Sequence, residues 1–121
     1  MPVYREAQIL IKSKGMLRMK PEATDNLKSI ANTISKKLPE LKRDYSLRRI
    51  GIFGSYSTGR QSSTSDVDIL VEFERTPDLF EFISLKNRLS TILSKKIDLV
   101  TTNSLRKEYA ERVLKEVEYI Q

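Results

Sequence analysis

The feature that most limits how this chain can fold is a pair of short apolar runs, Arg49-Ile50-Gly51-Ile52-Phe53 and Val67-Asp68-Ile69-Leu70-Val71-Glu72-Phe73, joined by a polar segment that begins Gly54-Ser55. Runs this short and this rich in branched residues read as strands. Alternation then places Val67, Ile69, Val71 and Phe73 on one face and Asp68 and Leu70 on the other. Asp66, at the mouth of the second strand, falls on the Asp68 side. Two carboxylates that close repel, and each is driven toward protonation unless a cation lies between them. An all-oxygen donor set of this kind suits magnesium or manganese, bound through one or two carboxylates plus substrate phosphates.

A glycine at the end of the first strand lets the backbone approach a ligand closely, and exposed N–H groups with the Ser55 hydroxyl suit the gripping of phosphate oxygens. One strand therefore presents a phosphate grip and the next a metal. A third carboxylate stands in Lys96-Ile97-Asp98-Leu99-Val100, where a charge among apolar neighbours is costly unless it is paired, exposed or on a metal. If this run lies beside residues 67–73, Asp98 joins Asp66 and Asp68 on one face. Three carboxylates suffice to hold two metal ions roughly 3.5–4 Å apart, the arrangement that stabilises attacking and leaving oxygens in phosphoryl transfer. Taken singly, a Gly-Ser pair is a common turn, an Asp-x-Asp pair a common strand entry and a lone aspartate a common surface charge. Their joint spacing carries the reading.

That order, G-S-x-x-x-G, then S-D-x-D leading into an apolar strand, then a lone aspartate in a later strand, resembles the nucleotidyltransferase superfamily of DNA polymerase beta. Within it the short chain resembles the minimal nucleotidyltransferase (MNT) group, often encoded beside an HEPN-domain partner as a toxin–antitoxin pair. The resemblance covers residues 22 to 118. It implies an α/β (α+β) nucleotidyltransferase fold, a small mixed sheet flanked by helices. It also implies that Asp66 and Asp68 bind magnesium, with manganese as the other option. Asp98 completes the triad and helps to activate the nucleophile, and Gly54 and Ser55 hold the phosphates of ATP. Ser65 is assigned to the nucleotide as well, with capping of the strand mouth as its other reading. The implied reaction transfers AMP from ATP to a tyrosine of an HEPN RNase toxin. The pattern departs at one point: many members carry arginine before the second glycine, where this chain has Thr58, with Arg60 just after Gly59. Arg60 is either a solvated loop charge or a substitute for the missing guanidinium.

Composition narrows the chemistry. The 121 residues, 39% hydrophobic, suffice for one core and are short for two. With no cysteine and no histidine, disulfides, thiolate metal ligation, a histidine base and a histidine-liganded zinc site are all excluded, and carboxylates must do the proton and metal work. No apolar run approaches a membrane span and the start lacks the apolar core of a signal peptide, so a cytoplasmic protein is expected. The net charge is +6, and within residues 1–20 five cations, Arg5, Lys12, Lys14, Arg18 and Lys20, stand against Glu6 alone. The expected organisation is a basic N-terminal extension over residues 1–20 followed by the nucleotidyltransferase domain over 21–121. Such an arm is compatible with nonspecific attraction to nucleic acid or to an acidic partner, and equally with a solvated extension.

Three helices complete the expected frame. Leu27, Ile30, Ala31, Ile34, Leu38 and Leu41 follow helical spacing, with Pro39 expected to end or kink the helix near Leu38. Thr76-Pro77-Asp78 resembles a helix start with proline at the first helical position, and Leu79, Phe82, Ile83, Leu85, Leu89, Ile92 and Leu93 give it a broad apolar face. Leu105, Tyr109, Val113, Val117 and Ile120 outline a last helix, with Tyr109 assigned to core packing. A strand–helix–strand order favours parallel pairing of the strands at 67–73 and 97–100. Nothing in a chain this short holds an acceptor, which points to a separate partner. Three functions share the pattern: a protein adenylyltransferase acting as antitoxin, a noncatalytic module that neutralises its partner by occlusion, and a nucleotidyltransferase acting on RNA or a small molecule.

Overall fold

The apolar repeat at the start of the chain does form a helix, and it runs through its proline. In the computed structural model, which describes residues 26–61 and 65–121, α1 spans Leu27–Tyr45 with Pro39 inside it. Asn26 caps it by accepting a hydrogen bond from the Ser29 N–H at 3.0 Å. An interior proline costs about 3 kcal/mol, yet Leu38 and Leu41 on either side are 6% and 0% exposed. Burying those two side chains offsets that cost, at about 1.5–3 kcal/mol each. The proline itself faces solvent, so the helix continues instead of ending near Leu38.

β1 (Leu47–Phe53), the four-residue helix α2 (Ser55–Thr58), β2 (Val67–Phe73), α3 (Leu79–Leu93), β3 (Ile97–Thr101), a 3-10 turn at Thr102–Ser104, α4 (Lys107–Glu116) and β4 (Glu118–Tyr119) follow in order. Among the described residues the strands form one sheet in the order β3-β2-β1-β4. β1 pairs antiparallel with β2 and with β4, while β2 and β3 are parallel. The sheet is therefore mixed, and the strand–helix–strand unit is parallel as its order favoured. The basic extension assigned to residues 1–20 lies outside the described residues.

Alternation along the strands separates two apolar layers. Ile50, Ile52, Val67, Ile69 and Val71 face α1 and α3, packing with Ile30, Ile34, Leu41, Leu85 and Leu89. On the opposite face Phe53, Leu70 and Val113 of α4 form a smaller cluster with Val100, Leu105 and Val117 at its edge. Asp78 caps α3 reciprocally with Glu81, at 2.8 and 3.0 Å. Pro77 therefore precedes the cap and is not the first helical residue. The apolar face of α3 is narrower than its sequence suggests: Leu79, Phe80 and Ile83 are 68%, 83% and 44% exposed, because only the inward stripe through Leu85 and Leu89 reaches the sheet.

The end of the chain differs most from its periodicity. α4 stops at Glu116, Val117 caps it, and the next two residues pair with β1 as Gly51↔Tyr119 and Ile52↔Glu118. Ile120 then packs against the α1 and α3 layer, and its N–H donates to the Ile50 carbonyl at 2.9 Å. Tyr109 is 40% exposed, with the Arg112 guanidinium 5.2 Å from its ring centre, and is not core. Gly51 permits this return, since a Cβ there would stand 2.6 Å from Val117 Cγ2 and 3.1 Å from the Glu118 carbonyl oxygen. Gly51→Ala is expected to push β4 off the sheet edge and to lower unfolding free energy by about 1–3 kcal/mol, as for other overpacked interiors. Urea unfolding of the variant with an unchanged midpoint would show that β4 contributes nothing to stability.

Candidate active site

The site is built on one row of the sheet. Parallel pairing of β2 and β3 sets Asp68 opposite Asp98, and antiparallel pairing of β1 and β2 sets Phe53 opposite Asp68 on the other side. The Val67 N–H donates to the Lys96 carbonyl at 3.0 Å and ties the mouths of β2 and β3 together. Residues opposite one another in a ladder project to the same face, so both aspartates stand on the face that carries α4. The apolar cluster of Phe53, Leu70 and Val113 lies beside them.

Asp68 is half-buried, and Asp66 and Asp98 are exposed. Burial first, then the charge of Asp98 and its position within hydrogen-bonding reach, then the charges of Asp66 and Glu116, push the Asp68 carboxyl up from its ordinary 3.8 to about 6. Two ionised carboxylates do not hydrogen-bond to each other. A shared proton or a cation must stand between them, and oxygen-only donors favour a hard divalent ion such as magnesium or manganese. The Asp68–Asp98 pair fits that chemistry. Asp66 acts on Asp68 by its charge, but among the described residues no three acidic, histidine or cysteine side chains gather into a formed metal cluster. The sheet brings Asp68 and Asp98 into register, and Asp66 stands just ahead of β2, near enough for its charge to act on Asp68.

Gly54 follows directly on Phe53, with φ 77° and ψ −147°, a conformation open to glycine alone. A Cβ at this position would collide with the Asp68 carboxylate. The turn and the carboxylate therefore share one space, and any side chain at position 54 would displace one or the other. The Gly54 carbonyl accepts from the Ser57 and Thr58 N–H groups, both at 3.1 Å, and from the Ser57 and Thr58 hydroxyls at 3.2 and 3.1 Å. Its N–H donates to Glu116 Oε1 at 3.2 Å. Among the described residues the Ser55 hydroxyl has no hydrogen-bond partner, which leaves it available at the turn.

Arg60 is exposed and its Nε donates to the Thr58 hydroxyl at 3.0 Å, so the guanidinium lies back against the residue that replaces the family's usual arginine. Ser65 is half-buried at the entry to β2. Glu72 lies on the same face as Asp68 but is half-buried and paired with Arg49 at 3.3 Å, two rows from the site. Glu116 is the residue that sequence reasoning missed. Its signal was its position three residues after Val113, which gives the two one helix face.

The amino-acid sequence matches the family model described as polymerase beta, nucleotidyltransferase, over residues 29–121. It is 42% identical over 94 residues to the protein adenylyltransferase MntA of Thermococcus cleftensis, spanning 78% of this chain and 95% of that one. The fold is similar to a chain in the crystal structure of a toxin–antitoxin with AMP-PNP, with a TM-score of 0.61, 31% identity and 72% of each chain covered. It is also similar to a chain in the complex of tri-AMPylated Shewanella oneidensis HEPN toxin with MNT antitoxin, with a TM-score of 0.56, 27% identity, and 75% of this chain and 71% of that one covered.

A carboxylate whose folded pKa is raised withdraws stability as it ionises. In metal-free protein the Asp68 contribution therefore turns unfavourable as pH rises from 3.8 to about 6 and remains so above. Metal-free Asp68→Asn should melt above the native chain at about pH 8 and converge with it near pH 4. Magnesium should raise the native midpoint and leave that of the variant unchanged. Parallel pH profiles for the two proteins would remove Asp68 as the strained carboxylate.

Proposed function

The chain belongs to the polymerase beta family of nucleotidyltransferases, and from that premise we propose that it is a metal-dependent protein adenylyltransferase. Its acceptor is a tyrosine of a cognate HEPN RNase toxin, which it inactivates by transferring AMP from ATP. The observation that carries this reading is the Asp68–Asp98 register beside the glycine turn, a pair of carboxylates and a tight turn at one end of the strands. The relatives named as protein adenylyltransferase and the toxin–antitoxin complexes of similar fold support the choice of acceptor class.

Each group then has a task that its position suits. Asp66, Asp68 and Asp98 would hold the magnesium, which when bound supplies charge neutralisation at the phosphates. Ser55, with its hydroxyl uncommitted, holds the triphosphate on a turn that Gly54 shapes, the Gly54 N–H and carbonyl being already engaged; Ser65 lies at the same strand mouth. Asp98 is exposed and beside Asp68, so it can take the proton of an acceptor hydroxyl arriving from outside. The acceptor oxygen bonds to the α-phosphorus, the bond from that phosphorus to the bridging oxygen breaks, pyrophosphate leaves, and the hydroxyl proton passes to Asp98.

Transfer of label from ATP labelled at the α-phosphate to an HEPN protein encoded beside this chain tests the reading directly. The native chain with magnesium should label the partner. Asp66→Ala/Asp68→Ala should reduce labelling by more than about 100-fold, since even the outer-shell partners of a metal site are worth 10–100-fold. A partner that stays unlabelled yet is neutralised by both forms would replace catalysis with occlusion. Label that appears on RNA or a small molecule instead would change the acceptor and keep the chemistry.

A further inference from the structure

We infer that Glu116 is a positioning residue of the site: by accepting the Gly54 N–H it fixes the orientation of the turn that holds the nucleotide phosphates. This rests on the phosphate-holding role proposed above for the turn that Gly54 shapes and Ser55 lines, and extends it to a residue at the far end of the sequence.

The contact links segments 62 positions apart, since the Gly54 N–H donates to Glu116 Oε1 at 3.2 Å in a partly buried setting. The opposite side of the same glycine is already gripped, its carbonyl accepting from two N–H groups and two hydroxyls of α2. Gly54 is the residue least able to hold itself, because glycine populates a wide range of φ and ψ. With both its N–H and its carbonyl engaged, it is held at φ 77° and ψ −147° with its α-carbon against Asp68. Without Glu116 only one side of that restraint remains.

The backbone that carries Glu116 is anchored on both sides. It is the last residue of α4, whose Val113 is 0% exposed against Phe53 and Leu70. The Val117 N–H closes the helix on the Val113 carbonyl at 2.9 Å, and the next residues pair with β1. A carboxylate is poorly placed there on two other counts. It lies at the negative end of a helix, and its charge adds to the repulsion on Asp68. Its hydrogen-bond partner in the described structure is the Gly54 N–H, at 3.2 Å. A local conflict tolerated for one contact at the centre of the site marks that contact as functional.

Glu116→Gln keeps an oxygen acceptor for the Gly54 N–H, whereas Glu116→Ala removes it. Two readouts separate this inference from the transferase reading. Amide hydrogen exchange of Gly54 by NMR, in protein free of nucleotide, should show protection in the native chain and in the Gln variant and lose it in the Ala variant. Calorimetric binding of magnesium with a non-hydrolysable ATP analogue should weaken about tenfold in the Ala variant and by less than about threefold in the Gln variant. In labelling assays the Ala variant should raise KM for ATP more than it lowers kcat. Native affinity in the Ala variant, or a Gln variant as weak as Ala, would overturn the inference. A native chain that binds no nucleotide would instead overturn the proposed function, while the Gly54 exchange still decides whether Glu116 holds the turn.

Discussion

The parallel pairing of β2 with β3 is the constraint on which the site depends. It sets Asp68 opposite Asp98 and so places two like charges at adjacent strand mouths, one of them half-buried. Strand pairing supplies the backbone hydrogen bonds that hold this register, and the Val67, Ile69 and Val71 side chains, each 0% exposed on the opposite face, prevent a one-residue slip. Such a slip would turn the buried face to solvent and the aspartates into the core. The apolar layer under α1 and α3 thus enforces, from behind the sheet, an arrangement that the carboxylates would not choose for themselves. The strain on Asp68 is what a cation placed between the two carboxylates would relieve.

Around that row, small residues are used where space is short. Gly54 lies against Asp68 in a conformation closed to other residues, and Gly51 lets Val117 and β4 close over the edge of the sheet. These two glycines connect the site to the end of the chain. β4 holds α4 in place, α4 holds Glu116, and Glu116 holds Gly54. The smaller apolar cluster of Phe53, Leu70 and Val113 is therefore more than a minor core, since it packs the helix that carries Glu116. The other apolar layer supplies most of the buried side chains, on the face opposite Asp68 and Asp98.

Legibility followed the range of the interactions involved. The strands at 49–53 and 67–73 were readable because alternation and branching are properties of a few consecutive residues, and the same alternation put Asp66 and Asp68 on one side. The helix through Pro39 was misread because a local rule about proline met two buried leucines that only the sheet could supply. Leu79 and Ile83 were counted as core because helical spacing reports which residues share a stripe and not how wide a stripe the neighbour can cover. β4 was hidden inside an apolar repeat that continued the helix, and its two residues pair with β1 only because Gly51 leaves room for them.

Sequence by itself determined which groups are available: carboxylates without cysteine or histidine, a glycine–serine turn ahead of two aspartates, and one further aspartate in a later strand. Those are matters of residue type and short spacing, which a chain carries into any fold. Tertiary structure alone decided that Asp98 stands opposite Asp68, and that a glutamate 62 positions from Gly54 accepts its N–H. The reason is that register across strands and the docking of a terminal helix are set by packing between distant segments, and no window of consecutive residues contains both partners.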